Sequence, residues 1–307
     1  MYSLFIGAGL LGFAPIFVKL VTLGPTTIGF YRCALGSFFL FLMSFGRRPN
    51  WPKQIWGYIA LAGVLFACDL FVWHRSVLYA GAGLGTILGN TQVFYVAAIG
   101  ILFFGEKPTS RFLLAVLLAF LGTYGLVCFK SEASPLSEHY QEGVAYGLAT
   151  GVIYSGYVLT IRRIERLSGN SSRALWLAAV SAVTAFSLLP VSLAEASLQW
   201  PTLSDLFWLV LLAAIAQVIA WLLISKNLKS VPVSRAGIIL ITQPLVATIA
   251  GALLFGERLH PIQWAGATLV FISLYLTASA SSAAKGSPKP GFHRTPTGEV
   301  ATNGPPQ

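Results

Sequence analysis

Apolar stretches of about 20 residues follow one another along nearly the whole chain, parted by short polar turns. Within each stretch the apolar residues run on continuously and do not alternate with polar ones, as the strands of a membrane barrel would. A run of this length crosses a hydrocarbon core of roughly 30 Å. In lipid every backbone group must find an internal partner, so such a run is a helix. The pattern predicts five helices over Tyr2–Leu20, Thr26–Phe45, Trp56–Tyr79, Gly83–Phe104 and Arg111–Phe129. A polar linker, Lys130–Glu142, separates them from five more, over Gly143–Ile164, Ser172–Ala194, Leu206–Lys226, Val233–Leu254 and Ile262–Ala280. From Ser281 the sequence turns to Ser, Pro, Gly, Lys and Thr, too poor in apolar surface to order itself. The expected fold class is all-α integral membrane, with ten transmembrane helices.

The two sets of five repeat one another. Thr91-Gln92-Val93 followed by Phe103-Phe104-Gly105-Glu106-Lys107 returns as Thr242-Gln243-Pro244 followed by Leu254-Phe255-Gly256-Glu257-Arg258, at one offset of 151 residues without a gap. Arg75 falls on Lys226 at the same offset. Five is odd, so the second copy enters the membrane upside down. The domain reading is a first repeat over residues 1–129, a linker over 130–142, a second repeat over 143–280 and a disordered cytoplasmic tail over 281–307. Inverted repeats of this kind recur in secondary transporters, with the substrate near the midplane where the copies meet.

Composition and charge sharpen the picture. Charged residues make up 10% of the chain against about a quarter in soluble domains, so a water-facing surface is missing. The net charge of +10 does not point to nucleic acid, because the basic residues sit in short loops, where they orient helices. With the N-terminus inside, fifteen Lys and Arg fall in cytoplasmic segments and four, Lys19, Arg75, Lys130 and Arg258, in outer ones; Arg32 remains inside a helix. Both termini are therefore expected in the cytoplasm, where the Asn170-Ser171-Ser172 sequon stays unmodified. Cys33, Cys68 and Cys128 lie within apolar runs and suggest no disulfide framework. No basic segment or small-residue cleavage site precedes Lys19, so Tyr2–Leu20 is expected to be a retained helix and not a signal peptide.

The sequence resembles the EamA family of the drug/metabolite transporter superfamily. The marks are the ten-helix layout, Gly105-Glu106 and Gly256-Glu257, and Gln243-Pro244 in the helix before the second pair, together with Arg32 and with Pro15 and Lys19 in the first helix. Val93 departs from the family's habit, since proline often stands there to match Pro244, and a proline-dependent bend in helix four is not expected. The resemblance implies export or exchange of amino acids, metabolites or vitamins, and a bacterial inner membrane.

Polar residues deep in apolar runs mark the candidate site. Asp69 is the one carboxylate deep in a span, where it costs roughly 2.5–3.5 kcal/mol and so faces a cavity or a partner. It reads either as a substrate contact or proton carrier, or as an ion-pair partner of Arg32. Trp73, one turn on, shares its face. Asn90, Gln92 and Tyr95 come from helix four, Gln217 and Trp221 from helix eight, and Gln243 is the repeat mate of Gln92. Amides and aromatic faces around a cavity suit a neutral or zwitterionic small molecule. The plainer alternative is hydrogen bonding between helices, worth about 0.6 kcal/mol a contact. His74 reads as a gate residue or interfacial anchor, and Arg32, Glu106 and Glu257 as structural or gating groups, the two glutamates ordering helix ends.

Other motifs lead nowhere. Gly7-x-Gly9-x-x-Gly12 resembles a dinucleotide fingerprint but lies inside an apolar helix with no strand before it, so close helix packing explains it. No phosphate-loop sequence or metal-ligand spacing occurs, and no cofactor or metal is expected. A catalytic pair is not visible, which sets an intramembrane enzyme behind a transporter; a receptor or scaffold that binds without carrying is the third reading. The expected partners are a small-molecule substrate and the lipid bilayer, with a homodimer left open by the lipid-facing surface.

Overall fold

The computed structural model describes residues 2–47, 51–80, 88–106, 108–128, 139–168, 173–255 and 261–285, and every regular element among them is helical. The first apolar run forms α1 (Tyr2–Leu11) and α2 (Ala14–Leu20), parted at Gly12-Phe13. Pro15 sits in the first turn of α2, where its missing N–H has no helical partner to lose. Then come α3 (Pro25–Met43) and α4 (Gln54–Ala80). The fourth run is described from Leu88, turns at Thr91 and continues as α5 (Gln92–Phe104). The helices α6 (Ser110–Cys128), α7 (Tyr140–Leu167) and α8 (Arg173–Ala194) follow. The eighth run is α9 (Leu203–Leu212), a π-helical segment (Ala213–Ile219) and α10 (Ala220–Leu228). The ninth is α11 (Val233–Leu240) and α12 (Thr242–Phe255), parted at Ile241, and the last is α13 (Pro261–Lys285). Helix α13 thus runs past Ser281, through a Ser-Ser-Ala-Ala stretch whose alanines favour helix strongly; the rest of the tail lies outside the described residues.

Among the described residues, six helices are long and apolar enough to cross a membrane and four shorter apolar helices accompany them. Five extensive pairings join an early helix to a late one: α1 with α10, α3 with α8, α4 with α7, α5 with α11 and α6 with α13. Small residues let these pairs close. A methyl group on Gly7 would stand 2.8 Å from the Ala220 carbonyl oxygen of α10, and one on Gly12 would stand 2.6 Å from the Gln243 carbonyl oxygen. Two of the fingerprint-like glycines, Gly7 and Gly12, therefore serve close approach of backbones. The core includes Leu4, Leu40, Ile59, Tyr157, Trp176 and Trp221, all essentially sealed.

Polar ties hold both ends of the bundle. At one end Thr202 and Asp205 form a reciprocal capping box on α9, and the Asp205 carboxylate also accepts from the Thr22 backbone N–H at 2.8 Å. Arg75 pairs with Glu195 at that end. At the other, buried Glu165 accepts from Arg173, with the Lys229 ammonium 3.9 Å away, and Arg162 Nη1 donates to the Val231 carbonyl at 2.5 Å.

Candidate functional site

A cavity of about 120 Å³ opens where three of the apolar runs break. Gly12, Ala14 and Pro15 bring the first break to it, Gly89, Asn90 and Gln92 the fourth-run turn, and Gln243, Pro244 and Ala247 the ninth-run break. The fourth run breaks at Thr91 although Val93, and not proline, stands two residues on. Thr91 Oγ1 donates to the Leu88 carbonyl at 2.5 Å, and its repeat mate Thr242 donates to the Ile239 carbonyl at 2.7 Å. A threonine reaching back three residues caps the broken turn at both places, and this signal was not read from the sequence.

Six of the eight proposed substrate residues line this cavity: Asp69, Trp73, Asn90, Gln92, Trp221 and Gln243. Arg32, expected to be structural or gating, lines it too. Gln92 Nε2 donates to the Gly237 carbonyl at 3.2 Å, and Gln243 Nε2 donates to the Tyr154 hydroxyl at 3.2 Å. Three polar atoms of lining residues are buried without a protein partner: Asp69 Oδ1, Gln92 Oε1 and Trp221 Nε1. Leaving such an atom unpaired costs about 1–3 kcal/mol, so each of the three favours a bonding partner. Asp69 and Arg32 form no ion pair within 4 Å, and the pairing weighed from the sequence does not form. One wall is aromatic. Phe66 stacks on Tyr157 at 4.6 Å, and Tyr157 and Tyr154 meet the Trp221 ring edge-on at 4.8 and 6.5 Å.

The remaining residues lie elsewhere. Tyr95 is 36% exposed on the outward face of α5, beside Phe94. The inward face runs Gln92, Val93, Val96, Ala97 and Gly100, so the neighbour of Gln92 across one turn is Val96 and not Tyr95. Gln217 is buried behind Arg32 and not on the cavity, because the π-helical segment breaks the 3.6-residue register that would align it with Trp221. His74 is buried against Trp73, ring centroids 5.0 Å apart, since α4 continues to Ala80 and carries the interface further along. Glu257 lies outside the described residues. Phe66, Tyr154 and Thr150 also line the cavity and were missed, being indistinguishable by type from core residues of an apolar helix.

Glu106 is placed by its glycine neighbour. Gly105 ends α5 in the left-handed region at φ +64°, which glycine adopts without strain. The reversal turns the Glu106 carboxylate onto the start of α11, where it accepts from Val233 N at 2.7 Å, Ser234 N at 3.2 Å and Ser234 Oγ at 2.5 Å.

This arrangement of broken apolar helices around a partly polar cavity has relatives. The profile of the EamA-like transporter family matches residues 1–128 and again residues 141–279. The chain belongs to the EamA-like transporter family. A Bacillus subtilis protein named uncharacterized transporter YwfM is 25% identical over 259 residues, covering 83% of this chain and 85% of its own. An uncharacterized transporter of Archaeoglobus fulgidus is 24% identical over 277 residues, covering 89% and 94%. A solved crystal structure superposes with a TM-score of 0.77 at 15% identity, over 90% of this EamA-like chain and 97% of the other, a likeness of fold alone. Family and apolar helices together make this an integral membrane protein of a transporter family, with a small molecule as its partner.

Proposed function

We propose that the chain is a secondary transporter that exports or exchanges a small metabolite such as an amino acid, by alternating access around the cavity at the three helix breaks. The observation that carries this is the set of unpartnered buried atoms, Asp69 Oδ1, Gln92 Oε1 and Trp221 Nε1, on residues lining one cavity. A carboxylate beside aromatic faces suits an ammonium group, and two amides suit neutral polar groups. The cavity is smaller than the roughly 300–1,000 Å³ typical of sites for drug-sized ligands, which favours a substrate of few heavy atoms.

The helix pairings support ten spans in two inverted repeats. Exchanging the halves maps each run onto the run five places on, and the main pairings then map onto themselves or one another: α1 with α10 becomes α7 with α4, and α3 with α8 returns as itself. In this reading the Glu165, Arg162 and Glu106 ties close the cytoplasmic end, and the Thr22–Asp205 and Arg75–Glu195 ties close the other. Transport opens one set at a time. The orientation, with both termini in the cytoplasm, rests on the distribution of basic residues, and the bacterial inner membrane on the family resemblance.

The test is uptake by proteoliposomes of radiolabelled amino acids against a panel of nucleosides, sugars and polyamines, with Gln243→Ala beside the wild type. Saturable counterflow of one class, lost in the variant, is expected. Binding without flux for every ligand that stabilises the protein would sink the transporter reading and favour a receptor.

A further inference from the structure

The transporter reading leaves one buried group without a task. Gln217 is sealed from solvent, does not touch the cavity, and stands on the π-helical segment (Ala213–Ile219). Such wide turns are rare and stand frequently at functional sites. Its amide is spoken for at both ends: Arg32 Nε donates to Oε1 at 3.1 Å, and Nε2 donates to Ser181 Oγ of α8 at 2.9 Å. Helix α3 leaves room for it with Gly36, where a methyl group would stand 2.4 Å from Gln217 Cγ.

The consequence falls on Arg32. That bond to Gln217 is the only hydrogen bond Arg32 makes among the described residues, and no carboxylate pairs with it. Its guanidinium carbon stands 5.6 Å from the Phe66 ring centroid. With Nε tied back, the terminal nitrogens form a planar fork on a side chain that lines the cavity. Asp69, on the same cavity, stands beyond 4 Å of it, so the buried guanidinium has no direct ionic contact among the described residues, and its best complement is a carboxylate held by two parallel bonds.

We propose that Gln217, held by Ser181 on the π-helical turn, is a positioning residue that fixes Arg32 as the receptor for a substrate carboxylate. Within the transporter reading, on which this rests, Asp69 then takes the ammonium end of the same molecule. The oxygen of Gln217 is a neutral acceptor, so it orients the guanidinium without neutralising it. Glutamate at 217 keeps the shape and removes that property.

The test uses purified full-length protein in detergent and ligand-induced thermal stabilisation. The probes are L-alanine, L-leucine, L-phenylalanine, L-lysine, acetate and phenylacetate, each beside its primary amide. At least one acid is expected to bind about tenfold more tightly than its amide, the discrimination of a bond worth roughly 1.4 kcal/mol. Gln217→Met and Gln217→Glu should each bring that ratio close to one while the amide's affinity stays within about twofold. A packing role alone would tolerate the isosteric glutamate. Ser181→Ala, a milder change, should lower the ratio about threefold and serves if the Gln217 variants do not fold. Equal binding of acid and amide by the wild type, a ratio unchanged in the variants, or no binding by any acid overturns the assignment. An acid that binds with this dependence but is not carried into proteoliposomes overturns the transporter reading and leaves the assignment standing.

Discussion

Glu106 joins the end of one helix to the start of another, and removing its carboxylate should be measurable in stability before any substrate is known. Two oxygens accept three bonds from the first turn of α11: Val233 N, Ser234 N and Ser234 Oγ. Loss of a side chain serving free N–H groups at a helix start costs about 0.5–2 kcal/mol, and the hydroxyl bond adds about 1 kcal/mol. Glu106 is only half-buried, so water replaces part of what is lost, and the expected cost of Glu106→Ala is about 2 kcal/mol. Glu106→Gln keeps one acceptor and should cost about half as much. Reversible unfolding in mixed micelles of detergent and SDS, followed by Trp fluorescence, gives the difference directly. A Glu106→Ala protein within about 0.5 kcal/mol of the wild type, the scatter of an ordinary surface change, would refute the capping argument.

Three further outcomes are expected. Asp69→Asn keeps the shape of the cavity and removes its unpaired carboxylate; uptake should fall at least about tenfold, and, if Asp69 carries the proton, what flux remains should no longer follow an imposed pH gradient. Undiminished, pH-dependent flux would remove Asp69 from the mechanism. Gly12→Ala places a methyl group 2.6 Å from the Gln243 carbonyl oxygen and 2.8 Å from Val246 Cβ, so it should destabilise by about 1–3 kcal/mol and abolish uptake; wild-type melting would show that the break at Gly12 tolerates bulk. Asp205→Ala breaks the capping box and the tie to Thr22, and a loss of about 1–2 kcal/mol by the same unfolding assay is expected, with no change meaning that the tie is incidental.

The legible part of the site was the part that contradicts its surroundings. Asp69, Gln92, Gln243 and Arg32 stand out because a charge or amide inside an apolar run needs a reason, and all four reach one cavity. Tyr154, Phe66 and Thr150 give no such contrast and were invisible. Gln217 was visible for the same reason as Gln92, but its place behind Arg32 depends on the π-helical segment, and the sequence Ala-Ala-Ile-Ala-Gln-Val-Ile carries no mark of one. Tyr95 shows the limit of face arithmetic: three and four residues on are both neighbours of Gln92, and packing against α11 selects Val96. The helix content was plain from the apolar runs. The breaks were not: Tyr2–Leu20 and Val233–Leu254 were each expected as one helix although Pro15 and Pro244 stand just past their breaks, and the Thr91 break is made by a hydroxyl that ordinary helices also tolerate.

The pairing of early helices with late ones also bears on how the protein is made. Helix α1 ends at Leu11 and its main partner α10 begins at Ala220, a separation of 220 − 11 = 209 residues. At about 5–20 residues per second of synthesis, α1 waits roughly 10–40 s for the surface it finally covers. The nascent first half therefore stands in the bilayer with its closest-packing faces, Gly7 and Gly12 among them, against lipid or insertion machinery. Neither half is a folding unit that can be finished and set aside, and a ribosome stalled after residue 128 should leave a product marked for degradation and not a stable half-transporter.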